Sequence, residues 1–250
     1  MAAITDEAIC LRRLDYSETS QVLVVLTRHH GKQRLIAKGI KRASKGQTPV
    51  GVDLLECGQA TFVPRSAGSE ALVPLTEWKQ QDHFGGMRIE LSRIYAAQYA
   101  AEITNLLTEE GDPHPAVFDA LIELLGHLSG EAAAPVQALV RFQVHLLREA
   151  GLVPQLDRCV SCGCPVSGRH GVFVSAWEGG VLCGDCEGPC VEKFRTNPAA
   201  LQAVMLPLEA PGAAAGQAFD LLDYYITEAT GRRPRLSELF RRASTSARSH

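Results

Sequence analysis

Two pairs of cysteines constrain this chain more than any other feature of its sequence. The first pair is Cys159 and Cys162, and a 20-residue insert separates it from the second pair, Cys183 and Cys186. Each Cys-x-x-Cys pair can turn the chain so that two thiolates point at one metal ion, and the insert lets the second pair complete a tetrahedron. The spacing is typical of a zinc ribbon. We therefore predict one zinc ion held by these four residues, which we call the cysteine quartet.

The predicted zinc site is structural, because four thiolates fill a tetrahedral ion and leave no position for a substrate. The insert indicates a short hairpin, with apolar segments 172–174 and 181–182 on either side of a Trp-Glu-Gly-Gly turn. Two alternatives stay open. The quartet could form two disulfides in a secreted protein, and Cys164 or Cys190 could compete for the metal.

Charge is distributed unevenly along the 250 residues, although the net charge is only -3. Residues 1–80 carry 11 Lys and Arg against 8 Asp and Glu, whereas the remainder carries 14 against 20. A basic first part joined to an acidic remainder indicates an anionic partner for the first part. Neither a signal peptide nor a bilayer-spanning apolar run is visible, so we expect a cytoplasmic protein without membrane contact.

The first 80 residues predict a small β-barrel. Apolar residues recur with a period of two in five segments separated by turn signals: 8–11, 21–27, 32–38, 52–63 and 70–75. Five short strands in about 80 residues suit a small closed barrel. An OB-fold that binds nucleic acid is the leading candidate, and an SH3-like barrel is the alternative.

A run of basic residues occupies the predicted third strand and the loop after it, and no acidic residue occurs from position 19 to position 51. The residues that we predict to contact nucleic acid are Arg28, Lys32, Arg34, Lys38, Lys41, Arg42 and Lys45. Lys32, Arg34 and Lys38 alternate along the strand, so they should share one face while Leu35 and Ala37 face the core. A positive strand face that leads into a basic loop is expected for binding of a phosphate backbone.

Lysines on a strand can instead keep a sheet edge soluble, and that alternative stays open. Seven basic residues without an interleaved acid favour nucleic acid, because surfaces built for solubility mix both signs. The only aromatic residues before position 80 are Tyr16, Phe62 and Trp78. Few rings are therefore available for base stacking, which favours binding through the backbone without base readout.

From residue 87 onward the hydrophobic period becomes that of helices. Apolar stripes predict helices over 91–106, 117–128 and 136–147, a fourth starting at Pro198, and a fifth over 217–230. The zinc ribbon, at 157–190, is thus an insertion in a helical domain that spans 81–250. Residues 241–250 have no apolar period, and we predict that they lack regular structure. The predicted fold class is α+β, an OB-fold followed by helices that carry the ribbon.

No catalytic motif is visible in the sequence. A Gly-rich phosphate loop, a His-Glu-x-x-His helix and a Gly-x-Ser-x-Gly elbow are all missing. Asp220 and Asp223 lie on adjacent turns of a predicted helix, where we expect a solvated face. We therefore expect that the protein is not an enzyme.

Three sets of residues together resemble one known family. They are the Ala-Lys-Gly-Ile-Lys-Arg segment at 37–42, the stretch from 140–147 to the Gly-Leu-Val-Pro segment at 151–154, and the cysteine quartet with Phe173 and the two glycines at 179–180. In this order and spacing they resemble the RecO family of recombination mediator proteins over nearly the whole chain. Some members of that family lack the cysteines, so the chain resembles a zinc-bearing branch.

The resemblance implies a mediator of DNA repair and recombination that binds single- and double-stranded DNA. It implies annealing of complementary strands without nucleotide hydrolysis, and loading of RecA onto strands coated by single-stranded DNA-binding protein, with RecR as partner. Arg141 matches a basic family position and is implied to bind the acidic tail of single-stranded DNA-binding protein; a surface or structural role is the alternative. The implied location is the bacterial cytoplasm, at the nucleoid.

Two other functions stay open when the residues are considered alone. A zinc-ribbon RNA-binding or transcription-associated module could use the same basic barrel. A nucleic-acid enzyme would need a carboxylate cluster for two metal ions, and the basic stretch contains none.

Overall fold

The first part of the protein is a closed barrel. A computed structural model describes residues 2–41, 51–63, 72–131, 133–166 and 171–246. The barrel strands are β1 (Ile4–Asp15), β2 (Gln21–Thr27), β3 (Gly31–Ala37), β4 (Cys57–Phe62) and β5 (Val73–Asp82). Their order is β1-β2-β3-β5-β4, β4 pairs back to β1, and only β3 and β5 run parallel. This is the arrangement of an OB-fold. The OB-fold prediction is confirmed and the SH3-like alternative is excluded.

Alternation along the strands fills the barrel interior. Leu23 and Val25 of β2 point inward, as do Leu35 and Ala37 of β3, and all four are buried. The prediction that Leu35 and Ala37 face the core is therefore confirmed. The fourth strand begins five residues later than predicted, because Leu55 adopts a positive φ of 66° in the turn that precedes it.

The second part of the described chain is mainly helical. Its helices are α1 (Leu91–Leu107), α2 (Pro115–Ser129), α3 (Pro135–Glu149), α4 (Pro198–Met205), α5 (Gly212–Thr230) and α6 (Ser237–Ser246). Short 3₁₀ segments at Gly85–Ile89 and Pro207–Glu209 precede α1 and α5. Among the described residues, no helix combines the length and the apolar character that crossing a membrane requires. Five of the six helices match predicted ones, while α6 was not predicted.

The segment that carries the cysteine quartet, which we call the ribbon, forms a small sheet between α3 and α4. Its strands are β6 (Val172–Ser175), β7 (Gly180–Leu182) and β8 (Phe194–Thr196), in the order β7-β6-β8. The hairpin of β6 and β7 is the predicted one. Val174 and Val181 belong to the same buried core as the helices, and the ring of Phe194 stacks on Tyr224 of α5 at 5.0 Å. The ribbon is therefore packed onto the helical part and continues its core.

The barrel meets the helical part where β3 begins. Gly31 has a positive φ of 66°, and a Cβ there would lie only 2.3 Å from the carbonyl oxygen of Asp112. The Gly111 N–H donates to the Lys32 carbonyl at 3.0 Å, which attaches the loop after α1 to the strand. Only glycine permits both this backbone conformation and this close approach. The start of β3 is thus a junction between the two parts of the protein.

A buried polar network joins four helices. The Asp223 carboxylate, which is 3% exposed, accepts hydrogen bonds from the Tyr99 hydroxyl, the Ser237 hydroxyl and the Arg241 guanidinium. Gln143 donates to the Tyr99 oxygen at 3.0 Å. The expectation of a solvated Asp223 is wrong, because three donors from two other helices compensate its burial. Arg241 also pairs with Asp220, and this anchoring explains why residues 241–246 are helical rather than without regular structure.

Candidate nucleic-acid interface and metal centre

The structure describes five of the seven basic residues that we predicted to contact nucleic acid. Arg42 and Lys45 lie outside the described residues. The other five differ in their surroundings, although they are close together in the sequence. Two are occupied by contacts at the junction between barrel and helices, and three lie farther along β3 or just after it.

Lys32 faces the helical part instead of solvent. Its side chain is buried, with 8% of the residue exposed, and its ammonium donates to the carbonyl oxygens of Asn105 and Thr108 at 2.7 and 2.6 Å. These carbonyls are at the C-terminal end of α1, where the helix supplies no donors of its own. Burial lowers the pKa of Lys32, although nearby Glu110 and Glu109 act to raise it. The expectation that Lys32 lies on a solvent-facing strand surface is wrong, because its charge satisfies the end of a helix.

Arg28 connects the barrel to α2. Its Nε donates to Glu7 at 2.6 Å, its Nη1 pairs with Asp119 of α2, and its guanidinium lies 4.7 Å from the centre of the Phe118 ring. Burial acts to lower the pKa of Arg28, but the two carboxylates raise it. Arg28 is a bridging residue whose charge is already balanced, which makes it a poor candidate for holding a phosphate.

Arg34 and Lys38 keep more contact with solvent than Arg28 and Lys32, whereas Lys41 does not. The side chain of Arg34 is 42% exposed and has one loose partner, Glu110, at 3.7 Å. Lys38 is exposed, and no described residue forms an ion pair with it. Lys41 pairs with Asp15 at 2.7 Å. The pair Arg34 and Lys38, which we call the barrel face, is thus the part of the predicted surface that is available to an anion among the described residues.

A second group of cations, which we did not predict, lines a groove between the barrel and the helices. The groove has a volume of about 980 Å³. Its cationic residues, which define what we call the arginine groove, are Arg12, Arg13, Arg88, Arg232, Arg233 and Arg235. All six are exposed. The arginine pairs at 12–13 and 232–233 are the signal in the sequence, but only the fold brings the two pairs together.

Four thiols come together at the ribbon. The sulfur atoms of Cys159, Cys162, Cys164 and Cys183 all lie within 4.8 Å of one another, an arrangement that could hold a metal ion. Three of these four belong to the predicted quartet. Cys186, its fourth member, is outside this group of four. A hydrogen bond with Ser161 acts to lower the pKa of Cys186, but the thiols of Cys162, Cys183 and Cys159 raise it to about 12. The structure therefore brings three of the predicted ligands together, with Cys164 beside them.

Backbone N–H groups favour the negatively charged thiolate form of the first cysteine pair, Cys159 and Cys162. Burial acts to raise the pKa of Cys159, but N–H groups of Cys183, Cys162 and Ser161 donate to its sulfur and lower the pKa to about 6. The Cys183 N–H lies 3.4 Å from that sulfur. The pKa of Cys162 is lowered as well, chiefly by the N–H and thiol of Cys164. Metals bind thiolates and not thiols, so this environment suits a metal ligand.

Arg141, the predicted partner-binding residue, lies on the outer surface of α3. Its guanidinium pairs with Glu123 of α2 at 2.8 Å, and its side chain is 51% exposed. A pair this exposed contributes little to stability and can exchange for another carboxylate. Binding of a partner by Arg141 stays a prediction.

Comparison with known proteins identifies the family of the chain. The family model described as the N-terminal part of recombination protein O matches residues 1–78, and the model for its C-terminal part matches residues 88–238. The chain belongs to the RecO family. The first RecO match ends within β5, and the second begins within the 3₁₀ segment that follows. The two RecO matches therefore correspond to the barrel and to the helical part.

Several curated relatives carry the name DNA repair protein RecO. One from Anaeromyxobacter dehalogenans strain 2CP-C is 38% identical over 208 residues, which cover 83% of this chain and 79% of the relative. Another from Bacillus pumilus is 31% identical and covers 81% and 76% of the two chains. A third from Rhodopirellula baltica is 34% identical and covers 72% and 65%. Similarity to RecO proteins thus extends through barrel, helices and ribbon.

Proposed function

We propose that this chain is a DNA repair and recombination mediator that binds single- and double-stranded DNA and anneals complementary strands. In the same proposal it helps, with RecR, to load RecA onto strands coated by single-stranded DNA-binding protein. The observation that carries the proposal is an OB-fold barrel, in a RecO-family chain, that exposes Arg34 and Lys38 on its surface. The proposed location is the bacterial cytoplasm, at the nucleoid.

The proposed activity needs no chemical step. Two DNA strands repel each other through their phosphates, and a cationic surface that offsets this repulsion lets complementary bases pair. Contacts to phosphate leave the base edges free, as annealing requires. Strand pairing can therefore be promoted by binding alone, and we propose that the protein is not an enzyme.

A salt titration of DNA binding tests the barrel face. In the double variant Arg34→Gln/Lys38→Gln, the slope of log affinity against log salt for single-stranded DNA should shrink by about 1.4, because each lost phosphate contact contributes roughly 0.7. Annealing should slow in parallel, also with competitor RNA present. The matched control is Arg148→Gln/Arg195→Gln, which removes two exposed arginines from α3 and β8. Circular dichroism checks that each variant is folded.

Two outcomes would contradict the proposal. An unchanged salt slope in the folded barrel-face variant would mean that these cations only solubilise the strand. Preference for RNA over DNA, without acceleration of DNA annealing, would favour an RNA-binding or transcription-associated module.

The RecO partners are proposed on the family resemblance. We propose that the tail of single-stranded DNA-binding protein, which is acidic, docks on the helical part and exchanges for Glu123 at the Arg141 guanidinium. Charge-assisted pairing between a guanidinium and carboxylates supports this role. RecR and, indirectly, RecA complete the proposed set of partners.

We also propose that the thiol cluster holds one structural zinc ion through Cys159, Cys162, Cys183 and Cys186. Ligands about 2.3 Å from a tetrahedral zinc ion lie about 3.8 Å from one another. The Cys162 and Cys183 sulfur atoms are 3.8 Å apart, which fits, whereas those of Cys162 and Cys164 are only 3.2 Å apart. This shorter separation favours Cys164 as a hydrogen-bond partner of Cys162 rather than as a metal ligand. Bound zinc would stabilise the ribbon and take no part in chemistry.

Metal analysis of two serine variants tests the ligand set. Cys186→Ser should lose the zinc ion and lower the melting temperature, because a structural zinc site contributes folding free energy. Cys164→Ser is the matched control and should keep one zinc ion per chain. The opposite pattern would make Cys164 the fourth ligand, and wild-type protein without zinc would remove the site.

A further inference from the structure

We propose that the arginine groove binds the phosphate backbone of a DNA strand that continues from the barrel face, which extends the DNA path onto the helical part of the protein. This inference rests on the proposed function, since it names where the bound strand goes after the barrel.

The groove has far more cations than carboxylates to balance them. Two carboxylates line it, Asp53 and Glu102. Asp53 is shared by Arg13 and Arg88, at 3.3 and 2.8 Å. Glu102 accepts the backbone N–H groups of residues 235 and 236, at 2.8 and 3.1 Å, so it is engaged with the start of α6. Neither carboxylate is left to neutralise the remaining guanidinium groups.

Four guanidinium groups in the groove are available to an anion. Those of Arg12, Arg232, Arg233 and Arg235 form no ion pair with any residue that the structure describes. They come from two walls, since Arg12 belongs to β1 and the other three belong to the connection between α5 and α6. Planar, weakly hydrated guanidinium groups match phosphate oxygens well. Like charges gathered on facing walls repel one another until an anion lies between them.

The sheet register connects the groove to the barrel face. Arg12 of β1 is directly opposite Val24 of β2, and Val24 is directly opposite Arg34 of β3. Residues opposite one another across neighbouring strands share a face of the sheet, and two strand spacings amount to about 10 Å. Arg12 and Arg34 therefore lie on one surface, with only the half-buried Val24 between them. A single polyanion can follow this surface from Lys38 past Arg34 to Arg12 and into the groove.

The apolar lining of the groove favours a phosphate backbone over a peptide. Leu11, Leu55 and Met87 are at most 4% exposed, because they pack in the core between barrel and helices. These three side chains offer little surface to an acidic peptide. The other apolar residues of the lining, Leu54, Ile94, Leu106 and Leu236, are half-buried, whereas every exposed residue of the described lining is an arginine. Among the described residues no aromatic side chain lines the groove, so bases would remain unstacked and the contact would be to phosphate.

Paired substitutions and two DNA lengths test the inference. Arg232→Gln/Arg233→Gln removes two cations whose side chains hold no described partner, so the fold should be kept. The ligands are oligodeoxythymidines of about 4 nucleotides, the smallest site size of an OB-fold, and about 40 nucleotides. We expect the groove variant to bind the short strand like wild type and to lose about 1.4 from its salt slope with the long strand. Arg12→Gln, on the opposite wall, should lose about half as much.

The other variants show whether the inference about the groove or the proposed function is wrong. Arg34→Gln/Lys38→Gln should weaken binding of both lengths, and Arg148→Gln/Arg195→Gln should weaken neither. If the groove variant binds the long strand like wild type while the barrel-face variant binds it weakly, the inference about the groove is wrong and the proposed function is unaffected. If the groove variant instead loses affinity only for a glutamate- and leucine-rich peptide, the groove is a peptide site and the inference is wrong. Absence of DNA binding by wild-type protein would overturn both proposals.

Discussion

The basic stretch around β3 and the arginine groove differ in how their cations are used. Around β3 the cations are dense in the sequence, yet Lys32 is buried at the end of α1 and Arg28 is paired with two carboxylates. In the groove the cations are scattered over more than 200 residues, yet four of them keep no described ion partner. Density of charge in a sequence therefore does not measure the charge that a surface offers to a ligand.

The reason is the position of β3 in the fold. The strand begins at the junction where its glycine touches the loop after α1, so cations at this end face helix ends and carboxylates rather than solvent. Farther along the chain, Arg34 keeps only a loose contact with Glu110 of that loop, at 3.7 Å, and Lys38 has no described ion partner. The groove, in contrast, has exposed walls, and the part of its lining that the structure describes has two carboxylates, both engaged. Two predictions test this difference between cations that are neutralised within the protein and cations that stay exposed.

The larger effect should come from Lys32→Met. The variant leaves the carbonyl oxygens of Asn105 and Thr108 without their buried donor. We expect the free energy of unfolding to fall by about 2–4 kcal/mol, while the salt slope of DNA binding stays that of wild type. Urea denaturation followed by circular dichroism measures the first quantity, and a salt titration of the folded protein measures the second.

Lys38→Met is the matched control, with the same chemical change at an exposed position of the same stretch. Its stability should change by less than about 0.5 kcal/mol, and its salt slope should shrink by about 0.7. The comparison breaks down if Lys32→Met reduces the salt slope and keeps the stability, because Lys32 would then contact DNA.

The smaller effect concerns Lys41, whose partner is Asp15. The Lys41 ammonium and, after it, the Gln21 amide hold the pKa of Asp15 below 3.8. A carboxyl group whose pKa is lowered in the folded state stabilises the protein at pH values above its unfolded-state pKa. This stabilisation is lost as the pH falls through the folded-state pKa. Lys41→Ala should therefore raise the pKa of Asp15 towards 3.8 and remove the loss of stability at low pH that this carboxyl causes. An NMR titration of the Asp15 carboxyl measures the pKa.

The same titration shows whether Lys41 belongs to the DNA surface. If a bound strand draws Lys41 to a phosphate, saturating single-stranded DNA should raise the pKa of Asp15 in wild-type protein too. An unchanged pKa in the complex would mean that Lys41 stays with Asp15 and acts, like Arg28, as a residue whose charge is balanced within the protein.

Much of the architecture could be predicted from the sequence, because the relevant interactions are local or periodic. The inward positions of β2 and β3 follow from alternation, and α1, α2 and α3 follow from apolar stripes. The two Cys-x-x-Cys pairs predicted the ribbon and the thiol cluster, since each pair is set by a turn of a few residues. These features depend on neighbours that are near in the chain.

The remaining features depend on residues that are far apart in the chain. Nothing near Asp223 reveals that Tyr99, Ser237 and Arg241 will donate to it, so its burial and the helix α6 were missed. Nothing near Lys32 reveals that it will satisfy the end of a helix more than 70 residues away. The fold also gathers Arg12 and Arg232 into one groove. It places Cys164 in the same thiol cluster as Cys159, Cys162 and Cys183. Local sequence patterns therefore predict most of the strands and helices and both cysteine pairs, whereas tertiary packing decides which charges are neutralised inside the protein and which remain for a ligand.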